Sequence, residues 1–209
     1  MADKTVMSGQ LVDWGVASRA LPGESVCGDV HLIKPLPEGV LLAVVDGLGH
    51  GAEAAAAAVI ALDVLNRHAG EPLSAIFRHC HESLVRTRGA VMTAAWLEPR
   101  EGRLTWLGVG NVEAMLLRAG PAPNIPVARA MLRSGIVGYR LPALQASTTS
   151  IAPEDWLVFA TDGVHAGLAD ALVAGGPPQR LAERVLDRYF KGTDDALVLV
   201  AKYLGTRRE

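Results

Sequence analysis

The stretch LLAVVDGLGHGAEAAAAA, residues Leu41–Ala58, decides how the rest of the sequence is interpreted. Its first five residues, Leu41–Val45, are aliphatic and uninterrupted, which predicts a short buried strand. Asp46 follows at the C-terminal tip of that strand, and three alternating glycines then allow a tight turn and the close approach of a ligand to the backbone. The alanines that come next predict a helix. A carboxylate in this place is a candidate for metal binding or catalysis, or it is a plain helix N-cap.

The composition describes an ordered globular chain with no strong charge bias. Half of the 209 residues are hydrophobic, a fifth are charged, and the net charge is −2. We therefore expect a single domain over residues 1–209, with no field that favours nucleic acid or an anionic membrane. No apolar run approaches the ~20 residues that cross a bilayer, and no signal-peptide core is visible, so we expect a cytoplasmic protein. We also expect it to be a monomer. Cys27 and Cys80 lack the spacing of zinc ligands and are predicted to be small packing residues.

Strand-like and helix-like segments alternate along the chain without an internal repeat. The segment 120–126 holds three prolines and is predicted to be a loop, leading into a poorly patterned stretch that ends at 146. Three strands between 90 and 118, joined by short turns, are predicted to form an antiparallel meander. The predicted strands are 11–17, 28–34, 39–45, 90–97, 104–108, 112–118, 156–160 and 196–203, and the predicted helices are 52–68, 73–87 and 179–190.

Aspartates border the predicted strands at separated points of the chain. Asp29 starts one strand, Asp46 and Asp162 end two others, and Asp194 and Asp195 precede the last. Carboxylates at strand tips can converge on one edge of a sheet, where they would repel one another and raise each other's pKa. A hard divalent cation such as Mg²⁺ or Mn²⁺ removes that conflict, and two ions that share a carboxylate lie about 3.5–4 Å apart. The alternative is that these residues are ordinary turn formers.

The order of Asp29, Asp46-Gly47, Asp162-Gly163 and Asp194-Asp195 along the chain resembles the order of motifs in a known family, the metal-dependent serine/threonine protein phosphatases of type 2C. Within it the chain is most similar to the bacterial SpoIIE-like branch, and there to the short stand-alone stressosome phosphatases. The resemblance runs from about Val26 to Val200 and implies an α+β fold, an α/β/β/α sandwich of two antiparallel sheets flanked by helices. The matching motifs are Cys27-Gly28-Asp29, Asp46-Gly47-Leu48-Gly49-His50-Gly51, Arg88-Gly89-Ala90, Gly108-Val109-Gly110-Asn111, Thr161-Asp162-Gly163 and Asp194-Asp195.

The resemblance also implies a site that binds two ions of Mn²⁺ or Mg²⁺. Asp46 would bridge the two metals, and the backbone carbonyl of Gly47 would add a ligand to one of them. Asp162 and Asp194 would complete the coordination of the other metal, so Asp46, Asp162 and Asp194 are the expected catalytic residues. A water activated between the ions would attack phosphorus in line, without a phosphoenzyme intermediate.

Further residues are assigned less directly by the resemblance. Asp29 would act mainly through metal-bound water, and Asp195 occupies a neighbouring position whose contact with metal is left open. His50 has two interpretations: a general acid for the leaving serine oxygen, or, as we favour, a residue at the helix start held by hydrogen bonds. Arg19 lies in the region where a phosphate-binding arginine is expected.

The function implied is hydrolysis of phosphoserine or phosphothreonine on STAS-domain proteins of a stressosome-type partner-switching pathway. The alternative is a catalytically silent module that keeps the fold and sequesters a signalling partner. Arg133 and Arg140, in the segment after residue 126, are candidates for contact with the phosphoprotein. His79 and His81 are two residues apart on a predicted helix and so do not share a face, and we therefore expect no metal role for them.

Overall fold

A computed structural model of the protein describes residues 11–119, 127–165 and 176–206. Strands and helices alternate as the sequence indicates, and most of the predicted bounds are matched to within about two residues. The predicted loop at 120–126 and the first ten residues lie outside the described ranges. The strands are β1 (Val12–Arg19), β2 (Asp29–Leu36), β3 (Gly39–Gly47), β4 (Ala90–Glu98), β5 (Arg103–Val109), β6 (Glu113–Leu117), β7 (Val127–Arg129), β8 (Leu132–Arg133), β9 (Ser147–Ser150), β10 (Trp156–Ala160) and β11 (Ala196–Tyr203), and the helices are α1 (Gly51–Arg67), α2 (Leu73–Leu84) and α3 (Pro178–Tyr189).

The strands form two sheets that pack face to face. One sheet has the order β1-β11-β10-β6-β7, and the other has the order β2-β3-β4-β5-β8, with β9 also paired to β5. The described pairs are antiparallel apart from the short pair β5–β8. With helices on both outer faces, this is the predicted α/β/β/α sandwich.

The aliphatic side chains of β3 pack on both faces of the strand. Successive side chains of a strand point to opposite faces. Leu42 and Val44 therefore pack between the two sheets, whereas Leu41 and Val45 pack against the helices. All four side chains are completely buried. A strand covered on both faces has no place for polar residues until its end, where Asp46 lies.

Helices cover the outer face of each sheet. The helix α1 turns an alanine face, Ala54, Ala57, Ala58 and Ala61, onto the β2–β5 sheet, and each of these side chains is fully buried. Small side chains let the helix axis approach the sheet closely, and α2 extends the same layer. The helix α3 covers the other sheet. None of the helices in the described ranges is long and apolar enough to span a bilayer.

The predicted meander is wrong at its last strand. The strands β4 and β5 do pair, but β6 lies in the opposite sheet, where it pairs with β10. The chain crosses between the sheets at Gly110, whose φ of +99° is unfavourable for other residues. The hydroxyl of Thr93 donates to the carbonyl oxygen of Val112 at 2.7 Å and fixes the crossing. Alternating hydrophobicity identifies a strand, but it does not tell which sheet the strand joins.

Candidate metal centre

Two of the predicted site aspartates are direct neighbours in the β2–β5 sheet. Because β2 and β3 are antiparallel, the start of one strand lies beside the end of the other, and Asp29 is the register partner of Asp46. Asp29 is buried and Asp46 is half-buried. The hairpin between these strands therefore places two carboxylates side by side at one end of the sandwich.

The facing sheet brings its carboxylates to the same end. Asp162 lies two residues beyond β10, and Asp194 and Asp195 directly precede β11, which is the antiparallel neighbour of β10. The Thr161 hydroxyl, at the end of β10, donates to Asp29 Oδ2 at 2.8 Å and joins the two sheets. The structure thus brings the five predicted aspartates together, and we call them the carboxylate cluster.

Burial and mutual repulsion raise the pKa values of Asp29 and Asp46 in the carboxylate cluster. Removal from water is the largest cause for Asp46, followed by the negative charges of Asp29, Asp162, Asp194 and Asp195, and together they raise its pKa to about 9. Burial and the other carboxylates raise the pKa of Asp29 to about 7, against the opposing effect of the Thr161 hydrogen bond.

Burial and neighbouring carboxylates raise the pKa of Asp194 as well. Within the described residues the Asp46 carboxylate accepts no hydrogen bond and forms no ion pair. Oxygen ligands crowded together without a compensating cation are the donor set that Mg²⁺ and Mn²⁺ require. The residues present therefore fit a divalent metal centre.

Asp195 is held differently from the other members of the carboxylate cluster. It is buried, and its two oxygens accept hydrogen bonds from the backbone N–H groups of Leu21 and Gly28, both at 2.7 Å. These bonds tie the segment between β1 and β2 to the start of β11. Both oxygens are thus engaged by the backbone, which favours a bracing role for Asp195 over direct coordination.

Gly47 is required for packing as well as for its proposed carbonyl ligand. A Cβ atom at this position would lie 2.0 Å from the carbonyl oxygen of Ala54 in the first turn of α1. The Gly47 N–H donates to the Gly28 carbonyl at 3.1 Å, which holds the turn against the start of β2. Any side chain here would displace α1, so substitution of Gly47 cannot separate a metal ligand from a packing role.

His50 occupies the N-cap position of α1 without a capping bond from its side chain. Its Nδ1 instead lies 2.6 Å from Glu24 Oε1. This hydrogen bond agrees with the favoured interpretation of a residue held at the helix start. The imidazole is about half exposed and acts to lower the pKa of Asp194. A role in proton donation therefore stays a prediction.

Arg19, the expected phosphate-binding arginine, is engaged by other side chains in this structure, and its assignment to phosphate binding stays a prediction. Its Nη2 lies 2.6 Å from Asp187 Oδ1 on α3, and its guanidinium stacks 5.0 Å from the centre of the Phe190 ring. The side chain is therefore engaged along α3. Two other cations border the carboxylate cluster: Lys191, whose Nζ donates to the Asp162 carbonyl at 2.5 Å, and Arg88, which packs against Gly49 in the turn after β3.

Sequence reasoning missed several residues that support the site. The Asn111 amide donates to Asp162 Oδ2 at 2.7 Å and orients that carboxylate. Asn111 and Lys191 line a cavity of about 160 Å³ beside Asp162, together with His165. Asn111 belongs to one of the quoted motifs, but nothing in a single sequence signals that it contacts a residue 51 positions away.

The arrangement corresponds to a known structural class, the type 2C protein phosphatases. Solved structures of that class share this sandwich, and one of them holds two manganese ions. Residues 37–204 match the family model described as Stage II sporulation protein E (SpoIIE). The chain therefore belongs to the SpoIIE family, as its motifs predict.

Individual relatives agree with this assignment. Phosphoserine phosphatase RsbX of Bacillus subtilis (strain 168) is 30% identical over 94 residues, 45% of this chain and 47% of that protein, so the match spans about half the length of that relative. A structure from work on the bacterial stressosome, a modular system adapted to control secondary messenger signaling, is 33% identical with a TM-score of 0.85, covering 91% of this chain and 99% of that one. RsbX in complex with magnesium has the same fold, at 20% identity and a TM-score of 0.82 over 94% of this chain and 98% of that one.

Proposed function

We propose that the protein is a metal-dependent phosphatase that hydrolyses phosphoserine or phosphothreonine in proteins, using two ions of Mg²⁺ or Mn²⁺. The observation that carries this proposal is the convergence of Asp29, Asp46, Asp162 and Asp194 at one end of the sandwich. Among the described residues, none donates a hydrogen bond to Asp46. Membership of the SpoIIE family supports it, because RsbX is itself a phosphoserine phosphatase.

The carboxylate cluster offers a distinct place to each ion. Asp46 would hold both ions, and the Gly47 carbonyl would add a ligand to one of them. Asp162 and Asp194 would hold the other ion, and Asp29 would act mainly through metal-bound water. When bound, the pair of ions supplies Lewis acidity that activates water and stabilises charge on the phosphoryl oxygens.

Residues around the carboxylate cluster fix its geometry and attract the substrate. The Thr161 hydroxyl keeps Asp29 oriented, the Asn111 amide keeps Asp162 oriented, and Asp195 locks the backbone between β1 and β2. Lys191 places a positive charge beside Asp162, where it would attract the phosphate dianion. Such preorganised groups lower the cost of reorganisation during the reaction.

We further propose that the substrate is a phosphorylated STAS-domain protein of a stressosome-type assembly. The similarity to RsbX and to the stressosome structure supports this class of partner. The carboxylate cluster lies at one end of the sandwich, where the surface of a protein substrate would reach it. Specificity would then come from the neighbouring loops. Arg133 is beside the site, because its carbonyl accepts the Gly110 N–H at 2.9 Å next to Asn111.

A phosphatase assay tests the proposed function. Purified protein should hydrolyse an aryl phosphate and a phosphorylated STAS-domain protein with Mg²⁺ or Mn²⁺, and EDTA should stop both reactions. We predict that Asp46→Ala lowers kcat by at least ~10³-fold, since removal of a group that positions both ions removes most of the metal-dependent stabilisation.

Two results would contradict the proposal. Turnover by Asp46→Ala at the wild-type rate would exclude the two-ion site. Tight binding of the phosphoprotein by the wild-type protein with no release of phosphate would instead support the alternative, a catalytically silent binding module.

A further inference from the structure

We propose that His68, Glu71 and His79 bind a transition-metal ion of the Zn²⁺ type at the far end of α1 from the carboxylate cluster. His68 directly follows α1, Glu71 lies in the connection between the two helices, and His79 is on α2. The 17 residues of α1 span about 25 Å, so this site is separate from the proposed catalytic centre. The inference does not depend on the proposed phosphatase activity.

The three side chains already converge on one point. Glu71 Oε1 lies 2.7 Å from His68 Nδ1, and Glu71 Oε2 lies 3.1 Å from His79 Nε2. One ligand atom from each residue falls within 4.8 Å of the other two. The two imidazole rings are stacked, with centroids 4.2 Å apart and planes inclined by 25°.

Binding of an ion requires Glu71 to withdraw and the two imidazoles to turn, because a ring nitrogen coordinates in the plane of its ring and the rings are now stacked. Bonds of about 2.0–2.1 Å in tetrahedral geometry place neighbouring ligand atoms about 3.3 Å apart. The Glu71 contacts of 2.7 Å and 3.1 Å are shorter than this, and its exposed side chain has room to move. The partly exposed site leaves the fourth position open to water.

Two imidazoles and one carboxylate select a particular class of metal. Imidazole nitrogen suits Zn²⁺, Cu²⁺ and Ni²⁺, whereas Mg²⁺ and Ca²⁺ prefer oxygen ligands. Glu82 Oε2 lies 4.0 Å from Nδ1 of His79, on the side of the ring away from Glu71. At this distance Glu82 makes no hydrogen bond, and it would have to approach the ring before it could orient a coordinating imidazole.

The backbone holds the ligands in place without help from the metal. The His68 N–H continues the hydrogen bonding of α1 to Val64, and the Glu71 N–H donates to the His68 carbonyl at 2.9 Å. Pro72 is then the N-cap residue of α2. His81 points elsewhere, since its Nδ1 accepts the Gly138 N–H at 2.9 Å. The proposal departs from the expectation that His79 has no metal role, because its partners His68 and Glu71 come from the connection after α1 and not from its own helix.

Calorimetric titration with Zn²⁺ in millimolar Mg²⁺ tests the site, because the Mg²⁺ keeps the oxygen-rich carboxylate cluster filled. We expect the wild-type protein to bind one Zn²⁺ ion that His68→Gln and His79→Gln bind at least ~10-fold more weakly, as for other losses of a zinc ligand. The matched control is His81→Gln, which removes an imidazole from the same helix and should bind Zn²⁺ like the wild type.

A second measurement guards against misfolded variants. Co²⁺ in place of Zn²⁺ should give the visible absorption of a nitrogen-coordinated ion in the wild type and in His81→Gln, and lose it in His79→Gln. Thermal unfolding without added transition metal should be alike in all of these proteins. Equal Zn²⁺ affinity in the wild type and in the double variant His68→Gln/His79→Gln would overturn the proposal.

Discussion

At the scale of single residues, the five aspartates of the carboxylate cluster have the same chemistry but different surroundings. Asp46 accepts no hydrogen bond from the described residues, and burial and the neighbouring carboxylates raise its pKa to about 9. Asp195 accepts two backbone N–H groups. The surroundings of Asp46 leave its oxygens for metal, whereas the oxygens of Asp195 hold the backbone. Sequence patterns identify all five residues, but they cannot tell these two uses apart, because hydrogen bonds to distant backbone groups leave no mark in the sequence.

Replacement of Asp195 should therefore affect stability more than metal chemistry. Asp195→Ala leaves the N–H groups of Leu21 and Gly28 without their acceptor, and each buried unpaired group costs about 1–3 kcal/mol. We expect urea unfolding in EDTA to show a loss of at least ~2 kcal/mol for Asp195→Ala. Asp194→Ala is the control with the smaller expected loss, since Asp194 is more exposed and accepts one N–H. A variant of Asp195 with wild-type stability and no activity would instead identify it as a direct metal ligand.

At the scale of secondary-structure elements, the site is made by the ends of four strands. The sequence predicts these strands well because long aliphatic runs such as Leu41–Val45 have one stable environment, a core covered on both faces. It predicts β7, β8 and β9 poorly, since they have two to four residues and mixed polarity. The sequence also does not predict the change of sheet at Gly110, because the pairing of β6 depends on residues that are distant in the chain.

The strand ends also make the stability of the metal-free protein depend on pH. Asp46 and Asp29 have folded-state pKa values of about 9 and about 7, above the value near 3.9 of an unfolded chain. The folded protein thus binds more protons than the unfolded one between these values, and its stability falls as pH rises from about 4 to about 9.

Thermal unfolding in EDTA should show this contribution as a decrease of Tm between pH 6 and pH 9. The decrease should be smaller for Asp46→Asn, which removes the charge, and saturating Mg²⁺ should stabilise the wild-type protein most at the alkaline end. A Tm in EDTA that rises over this range for the wild type and for Asp46→Asn alike would contradict the assigned pKa directions.

At the scale of the whole molecule, the segment 127–141 connects the site to the outer surface. Val137 pairs with Ala90 beside the turn after β3, and Gly89 accepts the N–H of Leu48. Tyr139, next in this segment, is 82% exposed, which is unusual for a large aromatic side chain. Arg140 follows it and has no ion-pair partner among the described residues. This surface is a candidate for contact with the phosphoprotein.

Charge reversal at Arg133 and Arg140 should separate protein recognition from chemistry. We expect Arg133→Glu/Arg140→Glu to lower kcat/KM for the phosphorylated STAS-domain protein at least ~10-fold and to leave hydrolysis of an aryl phosphate unchanged. Arg100→Glu, in the turn at the opposite end of β4, is the matched control and should change neither rate. Parallel losses on both substrates would place these arginines in the catalytic centre, and unchanged rates would exclude the segment from recognition.

The hydrogen bond from Thr161 to Asp29 crosses between two independent sheets, and this has a consequence for control of the reaction. We expect the distance between the two groups of proposed metal ligands, one from each sheet, to depend on the thickness of the apolar layer that separates the sheets. Leu41 and Leu42, both fully buried neighbours on β3, allow the effect to be isolated, since only Leu42 packs in that layer. Both Leu→Ala changes should cost about 2–5 kcal/mol of stability, but only Leu42→Ala should weaken Mn²⁺ binding in calorimetry. If both variants bind Mn²⁺ equally well, the layer does not set this distance. If only Leu42→Ala binds Mn²⁺ more weakly, the spacing between the sheets controls the proposed metal centre from a distance.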